Sequence, residues 1–298
     1  MKILVTGAKG MLGRQVVEDL ERGYTEIGRV PEEVKNAEVI GTDSQTLDIT
    51  DKNKTNLFVG EVSPDVIINC AAYTNVDGCE TDGESAYKVN ALGVRNLAMA
   101  AEKVGAKLIH ISTDYVFSGT GNTPKREYDT VRPASVYGKT KYQGEVFARQ
   151  YCKRLFIVRT SWLYGYRGKN FVKTMLWLAK EKGGASVVND QIGNPTNAAD
   201  LSHHLIKLCA SEEYGIYHCT GNGECSWFEF AREIVRLGGF DPELIQPCTT
   251  REYAEKFSVP TKRPEYSSLD NMMLRMTVGD EVRPWQLALE SYFKNRTA

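Results

Sequence analysis

Thr6-Gly7-Ala8-Lys9-Gly10-Met11-Leu12-Gly13 follows an apolar, β-branched run, Lys2–Thr6, and opens an amphipathic stretch, Met11–Arg22. Strand, glycine turn and helix in that order are the first half of a βαβ unit. Glycines at 7, 10 and 13 allow a tight turn, close approach of backbone to a pyrophosphate, and close helix–strand contact. The helix N-terminus offers free N–H groups and partial positive charge to the phosphates. The spacing is GxxGxxG rather than GxGxxG, and glycine turns also serve plain chain reversal, so the place of the turn between strand and helix carries the reading. Gly7, Lys9, Gly10, Met11, Leu12 and Gly13 are therefore cofactor-binding candidates. The fold they predict is a doubly wound, Rossmann-type parallel α/β sheet.

The pattern continues outward. Further strands are predicted at Glu38–Thr42, Asp65–Cys70, Lys107–Ser112 and Leu155–Arg159, apolar on nearly every residue as expected when helices cover both sheet faces. Helices fit between them at Lys52–Glu61, Glu84–Val104 and Ser135–Tyr151, while Glu26–Asn36 reads as a polar loop extension. Beyond Arg159 the alternation loosens into a helix (Asn170–Lys182), a strand (Ser186–Val188), a helix (Ala198–Ser211) and a strand (Gly215–Cys219). Ser226-Trp227-Phe228-Glu229 has the form of a capping box opening a helix to Leu237. From Thr249 the tail is broken by Pro260, Pro264 and Pro284. The expected organisation is a cofactor domain over residues 1–165, rejoined by late strands from about 185–222. Residues from about 166–184 and 223–298 are expected to form a smaller C-terminal substrate-binding lobe.

Asp43 ends the second strand, where an acid bonds a ribose 2′-hydroxyl and favours NAD, whereas Lys9 would meet a 2′-phosphate. The two pull opposite ways and leave NADH or NADPH open. Asp48 and Ile49 would hold the adenine amine and its face, or a simple turn. Ala71, Ala72 and Tyr73 follow the third strand, where small side chains let backbone approach the cofactor ribose.

Tyr137-Gly138-Lys139-Thr140-Lys141 carries the chemistry. Tyr137 and Lys141 are four apart near a helix start and share one face. A phenol ordinarily titrates near ~10, and an ammonium ~5 Å away at an effective dielectric of ~20 favours the phenolate by roughly 3 kcal/mol, about two pK units. A phenol drawn down toward the working pH is the expectation. Thr113 sits at the carboxyl edge of the preceding strand, where open α/β sheets place ligands. There it would hydrogen-bond a carbonyl oxygen that Tyr137 protonates.

Taken together, the glycine turn, Tyr-x-x-x-Lys and the upstream Thr113 resemble the extended short-chain dehydrogenase/reductase superfamily. Ser112–Phe117, Arg159–Gly165 and Asn189–Thr196 narrow the resemblance to dTDP-4-dehydrorhamnose reductases, over residues 1 to about 290. The resemblance implies reduction of dTDP-4-dehydro-L-rhamnose to dTDP-L-rhamnose by NADPH or NADH, in dTDP-rhamnose biosynthesis for cell-surface polysaccharide. It makes Thr113, Tyr137 and Lys141 the catalytic set, with Tyr137 and Lys141 also touching the cofactor. Asn90 corresponds to a helix asparagine near the active site, or to a packing residue. Val76, Asp114, Tyr115 and Trp162 correspond to the sugar pocket. Asn170, Gln191, Pro195 and Arg263 fall where the family holds the nucleotide, Arg263 suiting a diphosphate by its planar donor fork. Ser118, Thr120 and the Glu26–Asn36 extension depart from the family pattern. A 4,6-dehydratase would need a second acid directly after Asp114, and Tyr115 stands there. A reductase of another nucleotide-linked 4-keto sugar stays open, as does a non-catalytic, cofactor-binding regulatory subunit resembling that of methionine adenosyltransferase.

Gross properties fit. With 298 residues, 25% charged and a net charge of −1, the chain lacks the positive charge of a bulk nucleic-acid binder. No apolar run approaches the ~20 residues of a membrane span. Seven cysteines without a CxxC pair read as reduced thiols in a cytoplasmic protein. No metal-ligand cluster is expected, adjacent His203 and His204 reading as packing residues. A nucleotide sugar is the expected partner, with room for a homodimer.

Overall fold

The computed structural model describes residues 1–257 and 261–296, so Pro260 lies outside the described residues. In β1 (Lys2–Thr6), Ile3, Leu4 and Val5 have no solvent exposure, because successive side chains enter the cores on opposite sides of the sheet. The chain continues through α1 (Met11–Arg22), β2 (Glu38–Thr42), α2 (Lys52–Val62), β3 (Val66–Asn69), α3 (Val76–Thr81), α4 (Gly83–Tyr87), α5 (Val94–Val104), β4 (Lys107–Thr113), α6 (Val136–Tyr151) and β5 (Leu155–Thr160). Then come β6 (Leu163–Tyr164), α7 (Phe171–Lys182), β7 (Ala185–Val188), β8 (Ile192–Gly193), β9 (Thr196–Asn197), α8 (Ala198–Ala210), β10 (Gly215–His218), β11 (Cys225–Ser226), α9 (Trp227–Leu237), β12 (Ile245–Cys248), α10 (Thr250–Phe257), α11 (Met272–Met276) and α12 (Trp285–Asn295).

Six strands form a parallel sheet in the order β2-β1-β3-β4-β5-β10. Strand order reverses between β1 and β3, and a doubly wound sheet opens its ligand crevice at such a point. One core contains Ile3, Val5, Ile68 and Phe156 with side chains of α1 and α8; the other contains Leu4, Ile67 and Ile157 with α2, α5 and α6.

Three expectations change. Ser186–Val188 does not rejoin the sheet: β7 pairs with β12, and only β10 of the late strands adds to β5. The helix expected over Glu84–Val104 is broken by a π-helical turn at Lys88–Gly93. There the Asn90 amide bonds the backbone of Tyr73 at 2.8 and 3.0 Å, and Gly93 lies so close to Ile49 that a Cβ would stand 2.7 Å from it. Contacts made across the fold thus override the local helical period, a common origin of π-bulges near sites. The proline-broken tail still contains α10, α11 and α12, with Pro284 as the N-cap of the last.

Away from the sheet, α7, α9 and α12 enclose Tyr164, Phe230, Trp285 and Leu289. The capping box at α9 forms in full: the Glu229 amide donates to Ser226 Oγ at 3.1 Å and the Ser226 amide to Glu229 Oε2 at 2.7 Å. Glu26, in the loop extension, accepts from Tyr166, Arg283 and Ser291, so this polar segment ties α12 to the sheet. His203 bonds Thr25 and Glu281, and His204 bonds Asp200 and Glu281, as packing residues do. No helix among the described residues is long and apolar enough to cross a membrane, and no cluster there could hold a metal.

Candidate active site

The glycine turn is shaped by steric necessity. Gly7 has φ +67°, and a Cβ there would stand 2.7 Å from the Ala71 amide; one at Gly13 would stand 2.3 Å from the Gly7 carbonyl oxygen. The turn therefore seats against the end of β3 with α1 pressed on it. Beside it opens a cleft of about 580 Å³ at the carboxyl edge of the sheet. Gly10, Met11, Leu12, Gly13, Ala71 and Ala72 line one side; Val76, Thr113, Asp114, Tyr115, Tyr137, Lys141, Trp162 and Arg263 line the rest.

Ser135 caps α6 by accepting from the Gly138 amide at 3.1 Å, and this fixes where Tyr137 enters the cleft. A Cβ on Gly138 would stand 2.2 Å from the Tyr115 carbonyl oxygen, so α6 lies directly on the segment after β4. Tyr115 and Tyr137 meet edge to face at 5.4 Å. Lys141 Nζ donates to the Ile111 carbonyl at 2.6 Å, and Thr113 donates to Asp114 Oδ1 at 2.8 Å.

The electrostatics differ from the expectation. Burial pushes Lys141 down to about 8, with the Glu145 carboxylate opposing. Burial and the adjacent Asp114 carboxylate push the Tyr137 phenol above its ordinary value, against a hydrogen bond with Thr113. Desolvation thus outweighs the cation, which is turned toward a backbone carbonyl, and Tyr137 is held as a neutral phenol. Asp114 itself is pushed up to about 6 by burial, and its Oδ2 has no hydrogen-bond partner among the described residues.

Other expected site residues have partners within the chain. Lys9 and Asp43 form an ion pair with each other, and turn amides of Gln45 and Thr46 also cap Asp43. Asp48 is exposed and accepts from the Thr50 amide and hydroxyl, the turn alternative; Ile49 is 4% exposed within the core. Tyr73 is not among the residues lining the cleft, and its backbone is held by Asn90, which is completely buried and whose amide also reaches Thr140 at 3.2 Å. Asn170 caps α7 and donates to the Gly165 carbonyl at 2.8 Å, so its polar atoms serve the helix start. Pro195 is buried, with Gly221 packed onto its carbonyl. Gln191 lines a second cavity of about 560 Å³ and donates to Thr250 at 3.0 Å.

That cavity adjoins the cleft, sharing Trp227 and Arg263 with it. Arg263 donates to Asp77 Oδ2 at 2.9 Å. Trp162 stands over the cleft at φ +46°, stacked on Trp227 with centroids 3.7 Å apart. Left-handed backbone at a bulky residue is costly and tends to mark ligand-facing positions. Trp227, Asp77, Tyr253 and Lys256 escaped the sequence reading. Trp227 had one local signal, its place directly after the capping serine; the others had none.

The geometry agrees with comparison to known proteins. The profile of the family described as "RmlD substrate binding domain" matches residues 1–298. The spore coat polysaccharide biosynthesis protein SpsK of Bacillus subtilis is 40% identical over 298 residues, covering 100% of this chain and 98% of that protein. The crystal structure of a dTDP-4-dehydrorhamnose reductase from Clostridium acetobutylicum superposes with a TM-score of 0.91 at 48% identity, covering 99% of both chains. That of a dTDP-4-dehydrorhamnose reductase from Bacillus anthracis in complex with NADP gives 0.89 at 41% identity, covering 98% of both. From its glycine turn to its last helix, this chain belongs to the RmlD substrate binding domain family.

Proposed function

We propose that this chain is an NAD(P)H-dependent oxidoreductase that reduces dTDP-4-dehydro-L-rhamnose to dTDP-L-rhamnose. The observation that carries this reading is the meeting of the Thr113 hydroxyl, Tyr137 phenol and Lys141 amine in one cleft that opens against the glycine turn. Relatives at 41–48% identity that are named for this reaction support it, one of them holding NADP. The turn fits such a cofactor: a Cβ at Gly7 or Gly13 would fill the cradle with carbon, while α1 presents free N–H groups beside it. Gly10, Met11, Leu12 and Gly13 would hold the pyrophosphate, with Ala71 and Ala72 against the ribose side. When bound, the reduced nicotinamide supplies hydride to C4 of the keto sugar.

Negative charge then gathers on the C4 oxygen. Tyr137, a neutral phenol, is suited to give up its proton there, which leaves an alcohol on the sugar. Lys141, cationic below about pH 8, stabilises the phenolate that forms. Thr113 holds the carbonyl in place once its hydroxyl turns from Asp114. Val76, Asp114, Tyr115 and Trp162 surround the sugar, and Arg263 and Gln191 take the nucleotide toward the second cavity. In this reading residues 1–165, α8 and β10 carry the cofactor, and the units around α7, α9 and α12 carry the nucleotide sugar. Self-association into a homodimer and a cytoplasmic location, where reduced nicotinamide is kept, complete it; sedimentation and fractionation measure these.

The test is consumption of NADPH and NADH by purified protein supplied with dTDP-4-dehydrorhamnose, with the product identified as dTDP-L-rhamnose. A protein that binds cofactor but reduces no nucleotide sugar is a regulatory subunit, and one that prefers another 4-keto sugar has a different donor as its product.

A further inference from the structure

Resting on that reading, we propose that Glu145, buried behind the cleft, is a positioning residue for the reduction: it joins β4, β5 and α6 so that Thr113, Tyr137 and Lys141 face one substrate, and it sets a carboxylate one helical turn from the Lys141 amine.

Lys141 and Glu145 lie one turn apart on the same face of α6, and both reach β4. Lys141 donates to the Ile111 carbonyl at 2.6 Å; Ser112 Oγ donates to Glu145 Oε1 at 2.5 Å. The same carboxylate receives Arg159 Nε at 2.9 Å and Nη2 at 2.7 Å. Ser112 and Arg159 are register partners across β4 and β5, so a single carboxylate ties two strands and a helix. Thr113 follows Ser112 directly, and the segment to Trp162 follows Arg159. The three chain segments that build the cleft thus leave from one buried junction.

Glu145 and Arg159 are each 1% exposed, a costly place for charge. The Arg159 fork and the Ser112 hydroxyl satisfy the carboxylate there, and its charge lies one helical turn from the Lys141 amine. Other groups face that amine too. Cys70, from the end of β3, is a thiol pushed up to about 12 by burial and is neutral; His110, from β4, is held neutral by burial and by Lys141. Tyr137, on the same helix, is a neutral phenol. Behind Arg159 stand His218 of β10, pushed down to about 3 by burial and by Arg159, and Glu127, which accepts from the His218 and Met273 amides. Glu145 is left as the carboxylate that opposes the desolvation of Lys141.

Glu145→Gln keeps the oxygen that receives Ser112 and removes the charge. The full-length variant is expected to lose the alkaline side of its kcat profile at a pH lower by about half a unit or more, with cofactor affinity unchanged. The Lys141 amine is titrated directly in ligand-free protein by carbon NMR of labelled lysine, with Lys141→Met identifying the signal. Its midpoint near 8 in the native protein should fall in Glu145→Gln. A folded variant with an unmoved midpoint overturns the electrostatic role. Should Glu145→Gln not fold, Ser112→Ala, which leaves the ion pair whole, decides the positioning role: kcat falls about tenfold with both KM values steady, since small misplacement lowers rate. A kcat within about twofold of native overturns it. Native protein that reduces no keto sugar defeats the functional reading alone, because the lysine titration uses no substrate.

Discussion

The strip from β4 through α6 and the wall built by Trp162, Trp227 and Arg263 face each other across the cleft, yet they are held in different ways. The strip is held by contacts within about thirty residues and by helix and strand geometry: Lys141 to Ile111, Ser135 to Gly138, Ser112 to Glu145. The wall depends on partners far along the chain, as with Arg263 on Asp77, separated by 186 residues. Its side chains are long or planar and partly solvent-facing, Arg263 being 35% exposed. Rate should therefore reside in the strip and affinity in the wall, and substitutions can separate the two.

The largest expected effect is on the strip. Tyr137→Phe removes one oxygen and should lower kcat by at least ~10²-fold while cofactor Kd and melting temperature stay near native. Reduction within tenfold of native would break the comparison, since the wall would then be doing the chemistry.

Next is the charge at Asp114. Its folded pKa, about 6, lies above the ordinary 3.8, so the folded chain binds the extra proton. The stability this contributes is complete below pH 3.8 and is lost as pH rises through about 6. Asp114→Asn keeps an acceptor for Thr113 and should gain about 2–3 kcal/mol relative to native between pH 4 and pH 8. Melting curves of both proteins at the two pH values check the sign and the size.

On the wall, Trp162→Ala should raise KM for the sugar nucleotide by about tenfold, near 1.4 kcal/mol, with kcat and cofactor Kd little changed. Because Trp162 is half-buried on strained backbone, the loss of stability should stay below the ~3–5 kcal/mol of a core tryptophan. Arg263→Ala should weaken dTDP by a similar factor, read by calorimetry; a fall in kcat at unchanged affinity for either variant would erase the distinction between strip and wall.

The smallest effect belongs to the rim. Because Lys9 and Asp43 neutralise each other, native protein should use NADPH and NADH with kcat/KM values within about a hundredfold. Asp43→Asn frees Lys9 and should move the ratio toward NADPH. A ratio that does not move would show that neither residue contacts the adenosine ribose.

Much of the molecule was legible from residue order. β1, α1 and β2 fall at their predicted limits, and the capping box at α9 forms as its two residues require. Apolar period, turn glycines and caps act over a few residues, where covalent geometry already brings partners together. The reading weakened where polar side chains had a choice of partner. Asn170 and Asn90 each match a site position; in the fold one caps a helix and the other clamps a loop, partners that only the folded backbone brings within reach.

By itself, the sequence determined the strand–glycine–helix entry, the parallel alternation that follows, and the pairing of Tyr137 with Lys141 on one helical face, since all three follow from backbone geometry between near neighbours. Only the tertiary structure decided the charge states and the distant partners. Burial holds Tyr137 neutral and Lys141 near 8, Asp43 closes on Lys9, and Trp162 lies on Trp227. The physical reason is common to them: desolvation and long-range contact are properties of a site's surroundings, and those surroundings exist only once the chain has folded.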